Sequence, residues 1–325
     1  MQVFTLMQPT DVDSAVAAVS QSGVKYIAGG TDLLQLMKND VEAPVRLVDI
    51  EGLNLSGVTV TGDVLRLGAT APMSDVAAHA AVRELAPAVS LALLSAASPQ
   101  VRNMGTMGGN LLQRTRCGYF RDTGFACNKR VPGSGCPAIR GENRMLAILG
   151  GSEHCIATQP SDMPVALVAL DARVELQGGG GVKRELPIRQ FYRLPGDTPH
   201  IETNMQPGEL ITAILVPVTA ASRRSVYLKV RDRASFEFAL VSVAVGLDVQ
   251  NGEIVDARVA AGGVGTIPWH LPEVETALRG GPVTPERLRQ AAMLAGQGAQ
   301  PATQNAFKLP LLRNTVRRAL EMAVA

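Results

Sequence analysis

The stretch Gly105-Thr106-Met107-Gly108-Gly109-Asn110, continued through Cys117, Cys127, Cys136 and Cys155 and closed by Pro160-Ser161-Asp162, decides how the chain is read. All four cysteines of the 325 residues fall within 39 positions, spaced C-x9-C-x8-C-x18-C. Four thiols so confined point to a bound group, and the glycines on the near side point to a second ligand beside it. The spacing lacks the C-x2-C pairs of zinc ribbons and bacterial ferredoxins. On the residues alone three readings stay open: a [4Fe–4S] cluster, a zinc ion on four thiolates, or two disulfides. Disulfides fit poorly in a large chain with its own core and no visible signal peptide. Widely spaced cysteines suit an object that must be wrapped. Gly118, Gly124, Pro132-Gly133-Ser134-Gly135 and Pro137 supply turns whose N–H groups can bond sulfur. His154, beside Cys155, reads as a polar neighbour and not a ligand. From Arg114 to Arg144, seven basic residues stand against Asp122 and Glu142, an excess that would offset an anionic cluster or simply make a solvated basic loop.

Working upstream, Lys25-Tyr26-Ile27 reads as a strand running into Ala28-Gly29-Gly30-Thr31-Asp32-Leu33-Leu34, a glycine turn that opens a helix to Lys38. Strand, glycine turn and helix start is an arrangement that offers N–H groups to phosphate, and also a common tight turn. Before it, Met1–Met7 reads as a strand, and Thr10 with Asp13 as the capping box of a helix ended by Gly23. After it, Val45–Ile50 is a strand and Thr61-Gly62-Asp63 a hairpin turn. Helices follow over Asp75–Leu85 and Pro87–Ala97.

Downstream of the cysteines, the apolar run Met163–Leu176 reads as a strand, Gly178–Gly181 as a hairpin tip and Gly208–Pro217 as a strand. Tyr227–Val230 is a strand, Arg231–Ser235 a charged turn and Phe236–Val241 a short helix. Val243–Val249 and Ile254–Ala261 pair across Asn251-Gly252. Helices at Glu273–Leu278, Pro285–Ala295 and Leu309–Ala323 complete a smaller C-terminal α/β unit.

The bulk numbers exclude several classes. A net charge of +2 does not suit a nucleic-acid binder. No run nears the roughly 18 apolar residues of a membrane span. The first residues lack a signal-peptide pattern, which favours the cytoplasm, while export in complex with a signal-bearing partner is compatible with that. The four histidines, His79, His154, His200 and His270, are dispersed, and no nucleophile–base constellation stands out.

Together, Ala28–Leu34, Gly105–Leu111, Ser161-Asp162 and Lys229-Val230-Arg231-x-Arg233 resemble, in order, the FAD-binding subunits of molybdenum hydroxylases, the family of xanthine dehydrogenase and carbon monoxide dehydrogenase flavoproteins. The resemblance implies an α+β fold: a PCMH/vanillyl-alcohol-oxidase-type FAD-binding domain of two α/β subdomains over 1–220, then a CO dehydrogenase flavoprotein-type domain over 221–325. It implies that Lys25, Tyr26, Ile27, Ala28, Gly29, Gly30, Thr31, Asp32, Leu33 and Leu34 line the cofactor. In that scheme the glycines admit the pyrophosphate, Gly105, Thr106, Gly109 and Asn110 close the other side, Asp162 anchors hydroxyl or ring-edge groups, Ile211 packs nearby, and Lys229 stands near the flavin ring.

Most such subunits run from Gly-Gly-Asn to Ser-Asp almost directly. Here the segment 113–158 intervenes, as in the aldehyde oxidoreductase subset and in 4-hydroxybenzoyl-CoA reductase. That likeness implies a [4Fe–4S] cluster on Cys117, Cys127, Cys136 and Cys155. It further implies an electron-transfer subunit in a heterotrimer, open to dimerisation, with a large molybdenum-cofactor subunit and a small [2Fe–2S] subunit. Aldehyde would react on the partner and electrons would leave to an external acceptor. Rival readings are the reducing direction, a stand-alone FAD oxidase, and a zinc-bearing scaffold.

Overall fold

The computed structural model describes residues 1–325. The N-terminal part holds two sheets. A small parallel one orders its strands Thr5–Met7, Arg46–Asp49, Val24–Ile27, joined by helices Val12–Val19 and Leu33–Lys38, as parallel pairing requires. The first helix starts one residue later than Thr10 and Asp13 suggest. Asp11 is the cap, accepting from the Ser14 N–H at 2.7 Å, and Ser14 closes the capping box. An antiparallel five-stranded sheet runs Val58–Thr61, Val64–Gly68, Leu210–Pro217, Arg173–Gln177, Lys183–Pro187. Its apolar face packs on helices Met73–Ala78, Pro87–Ser95 and Met163–Ala169.

The C-terminal sheet is antiparallel, ordered Trp269–His270, Glu253–Gly262, Val241–Gln250, Ser225–Val230. Asn251 and Gly252 both take positive φ at its long hairpin, as a two-residue turn of that hand needs. One face is covered by helices Pro272–Leu278, Pro285–Met293 and Lys308–Val324. The other sends Tyr227, Ala244 and Ala260 into the same core as Leu67 and Val168. The C-terminal unit therefore shares apolar packing with the region before it. No helix is long and apolar enough to cross a membrane.

Several expectations are corrected. Met163–Ala169 is a helix, not a strand. All seven residues are buried, so the run shows no polar face from which a period could be read. Pro164 in the first turn is the helix-start signal. The strand begins only at Arg173. The helix expected over Asp75–Leu85 breaks at His79, which is extended (ψ 129°) and whose Nδ1 accepts the Ala81 N–H. Phe236–Val241 is not helical: Phe236 has φ +54° and the strand starts at Val241. The N-terminal strand is only Thr5–Met7.

Residues 113–158 are largely irregular, with short turns at Gly118–Arg121 and Pro137–Ile139. Their far end is tied to the C-terminal unit. Fully buried Asn143 accepts from the Gln304 N–H and donates to Thr303 Oγ1. Lys308, also fully buried, donates to the carbonyls of Met145 (2.8 Å), Leu146 (3.0 Å) and Gly263 (2.6 Å). Burial pushes the Lys308 amine down to about 7. In the unfolded chain it titrates near ~10.4. Between these values the unfolded chain holds a proton that the folded chain has lost. This group alone therefore makes stability rise with pH there, by about 1.4 kcal/mol per unit. In urea unfolding, Lys308→Met is expected to remove that slope. It should also cost about 3 kcal/mol near pH 7, because three buried carbonyls lose their donor.

Candidate functional site

A cleft of about 630 Å³ lies where the three sheets meet. Its size is within the roughly 300–1,000 Å³ of cofactor sites. Lys25 to Leu33 form one wall, Gly105, Thr106, Gly109 and Asn110 the facing one, and Asp162, Ile211 and Lys229 also line it. Of the residues implied from sequence, Leu34 is not in the lining; its side chain folds back over Gly30.

Local physics explains the two walls. Gly30 has φ +65°, a conformation that favours glycine. Gly29 is also required by a protein neighbour: a Cβ there would stand 1.6 Å from the Met104 carbonyl oxygen. The missing Cβ thus lets the loop dock on the backbone just before Gly105. Opposite, Thr106 caps the turn Met107–Leu111 by accepting the Gly109 N–H at 3.3 Å. Its own hydroxyl proton remains free to donate. Asn110 Oδ1 is buried without a partner in a cleft-lining residue. Such an orphaned acceptor calls for a donor. A bulge at Thr212, where Leu176 pairs Ile211 after Glu175 pairs Ala213, accompanies the placement of Ile211 at the cleft.

Asp162 stands at the N-cap position of helix Met163–Ala169 but makes no cap bond. Its carboxylate accepts instead from Tyr227 Oη at 2.6 Å and Lys229 Nζ at 2.8 Å. Both members of the ion pair are about 95% buried. Burial and the Asp162 charge raise the Tyr227 phenol well above its ordinary pKa, keeping it a donor. Sequence reasoning missed Tyr227. The signal was period two: Tyr227 and Lys229 share one face of a strand. Lys229→Met is expected to leave Asp162 buried without its cation, lowering stability by roughly 3–5 kcal/mol in a denaturant midpoint.

The four cysteines gather around a second, small internal cavity that His154 and Lys129 also line. All four thiols are free. Burial raises Cys117, Cys136 and Cys155, the last to about 11, while backbone N–H groups of Phe120, Ala138, Ile156 and Ala157 pull their respective sulfurs the other way. Mutual repulsion among the thiolates adds to the rise. No three His, Cys, Asp or Glu side chains close tightly enough to hold a single ion. His154 pairs with Asp197 at 3.3 Å.

Much of the basic charge of this segment is paired with carboxylates. Arg114 pairs with Glu42 and Glu202, Arg116 and Arg121 with Asp32, and Arg144 with Asp232. Burial works against the Glu42 carboxylate, yet Lys25 and Arg114 pull it below its ordinary pKa. Lys129 favours the charged form of one thiol, Cys155.

Comparison with known proteins agrees with this geometry. The family described as the FAD binding domain in molybdopterin dehydrogenase matches residues 2–219, and the CO dehydrogenase flavoprotein C-terminal domain matches 226–323. The chain is 45% identical to the aldehyde oxidoreductase FAD-binding subunit PaoB of Escherichia coli (strain K12), over 100% of this chain and 99% of that one. It is 26% identical to the carbon monoxide dehydrogenase medium chain of Afipia carboxidovorans, over 99% and 97%. Among solved structures, a carbon monoxide dehydrogenase from Hydrogenophaga pseudoflava superposes with a TM-score of 0.77 at 25% identity, over 99% of this chain and 98% of that one.

Proposed function

The chain belongs to the FAD-binding subunits of the molybdopterin dehydrogenases, the molybdenum hydroxylase family of oxidoreductases, and from that membership we propose that it is the electron-transfer subunit of an aldehyde oxidoreductase. The observation that carries the aldehyde is the end-to-end identity of 45% with an aldehyde oxidoreductase subunit. It favours oxidation over the reducing direction. FAD held in the cleft would supply the two-electron redox centre between the partner subunits and an external acceptor. A large molybdenum-cofactor subunit and a small [2Fe–2S] subunit supply those electrons. The flavin domain spans 1–220 and the C-terminal domain 221–325.

In this reading the chain's residues bind and orient. Backbone N–H groups of Ala28 to Leu33 meet the pyrophosphate, the free Thr106 hydroxyl proton adds a donor, and Asn110 Oδ1 finds its missing partner. Lys229, fixed by Asp162, holds a positive charge at the cleft wall that favours an anionic reduced ring. Tyr227 fixes that carboxylate from the other side.

Cys117, Cys127, Cys136 and Cys155 hold a [4Fe–4S] cluster within 113–158. Four free thiols line one small cavity, and four thiolates are the donor set such a cluster takes. The Ala157 N–H, which bonds the Cys155 sulfur at 3.5 Å, suits a thiolate that ligates iron. Flavin and metal analysis of the purified protein tests both assignments. One FAD and four irons per chain is the expected result. Zinc in place of iron, or no flavin, would sink the proposal.

A further inference from the structure

Asp32 occupies the N-cap position of helix Leu33–Lys38 yet makes no cap bond. Its carboxylate turns toward the cysteine segment. It accepts from the Arg114 N–H at 2.8 Å, Arg116 Nη1 at 2.6 Å and Arg121 Nη2 at 2.8 Å. Arg116 and Arg121 flank Cys117, and both also donate to the Arg114 carbonyl, at 2.7 and 3.0 Å. Arg121 Nε reaches the Thr115 carbonyl, and Thr115 Oγ1 accepts the Cys117 N–H. One compact turn therefore carries a cysteine of the thiol cavity and both guanidiniums that grip Asp32. Asp32 lies two residues beyond Gly30, on the wall of the flavin cleft. Three charge-assisted bonds therefore tie the Cys117 turn to that wall.

We infer that Asp32, Arg116 and Arg121 are positioning residues that couple FAD affinity to the state of the cysteine site, so that a filled cysteine site holds the flavin loop in its binding shape. The inference rests on the reading of the two sites given above. Coupling of this kind is reciprocal: FAD must strengthen retention of the metal group by the same factor. A static staple would lower stability without making one site sense the other.

The test is FAD affinity of the full chain, read by flavin fluorescence titration. Cys117→Ser is expected to weaken FAD by about tenfold, and Asp32→Asn by about tenfold, within the usual range of coupled sites. The double variant should bind no worse than Asp32→Asn alone, because the route is already cut. Arg121→Lys should recover most of what Arg121→Gln loses. Should Cys117→Ser fold poorly, chelator-treated wild type takes its place, with the same expected loss. An unchanged affinity on emptying the cysteine site overturns the inference, as does a double variant whose losses multiply. A wild-type chain that binds no FAD overturns the functional reading and this inference with it; one that binds FAD equally well with and without iron overturns the inference alone.

Discussion

Gly29→Ala is expected to strip FAD from the purified protein. A Cβ at this position would lie 1.6 Å from the Met104 carbonyl oxygen, and real Cβ atoms stay beyond about 3.0 Å. The obstacle is backbone, so no side chain can swing aside. The loop must retreat by more than 1 Å from the wall that begins at Gly105. A retreat of that size takes N–H donors out of hydrogen-bond range of a bound phosphate, enough to lose cofactor through purification. Gly52→Ala is the control: nothing lies within 4 Å of its Cβ, and flavin content should stay at one per chain. Full flavin in Gly29→Ala would remove this loop from the site.

Cys127→Ser is the second large effect, and it isolates ligation from folding. The loop after Cys127 is closed by its own backbone: Arg130 and Val131 N–H groups bond the Cys127 carbonyl, and Asn128 N–H bonds the Gly135 carbonyl. Ser134 Oγ accepts the Cys127 N–H at 2.9 Å. None of these bonds uses the sulfur. Serine preserves them while replacing a soft thiolate by a hard, poorly ionised oxygen. Iron should fall well below four per chain and the broad visible absorbance of the cluster should go with it. Four irons retained in the variant would show that Cys127 is not a ligand.

What was legible in the sequence follows from physical cause. Glycine turns are written in residue identity, so Ala28–Leu34 and Gly105–Asn110 stood out as turns; that the two belong to one cofactor site came only from the family resemblance. Asp162 and Lys229 could be singled out, but not their bond to one another, which depends on a strand and a helix start meeting from 67 residues apart. Tyr227 was hidden because an isolated aromatic on a short strand looks like core. The helix Met163–Ala169 was hidden because complete burial erases the periodicity that separates helix from strand. The arginines of the cysteine segment were visible as charge, but their partners, Asp32, Glu42, Glu202 and Asp232, are tertiary facts. Gly29 could be marked as a turn glycine, but the neighbour that presses on it, the Met104 carbonyl, is a tertiary fact.

The most direct measurement adds aldehyde, without oxygen, to the complex co-purified from cells expressing this chain with its partner subunits, and follows flavin absorbance. Bleaching of the flavin as aldehyde is consumed, reversed on adding an electron acceptor, is the predicted result. Aldehyde consumption with acceptor reduction while the flavin on this chain stays oxidised would contradict the account.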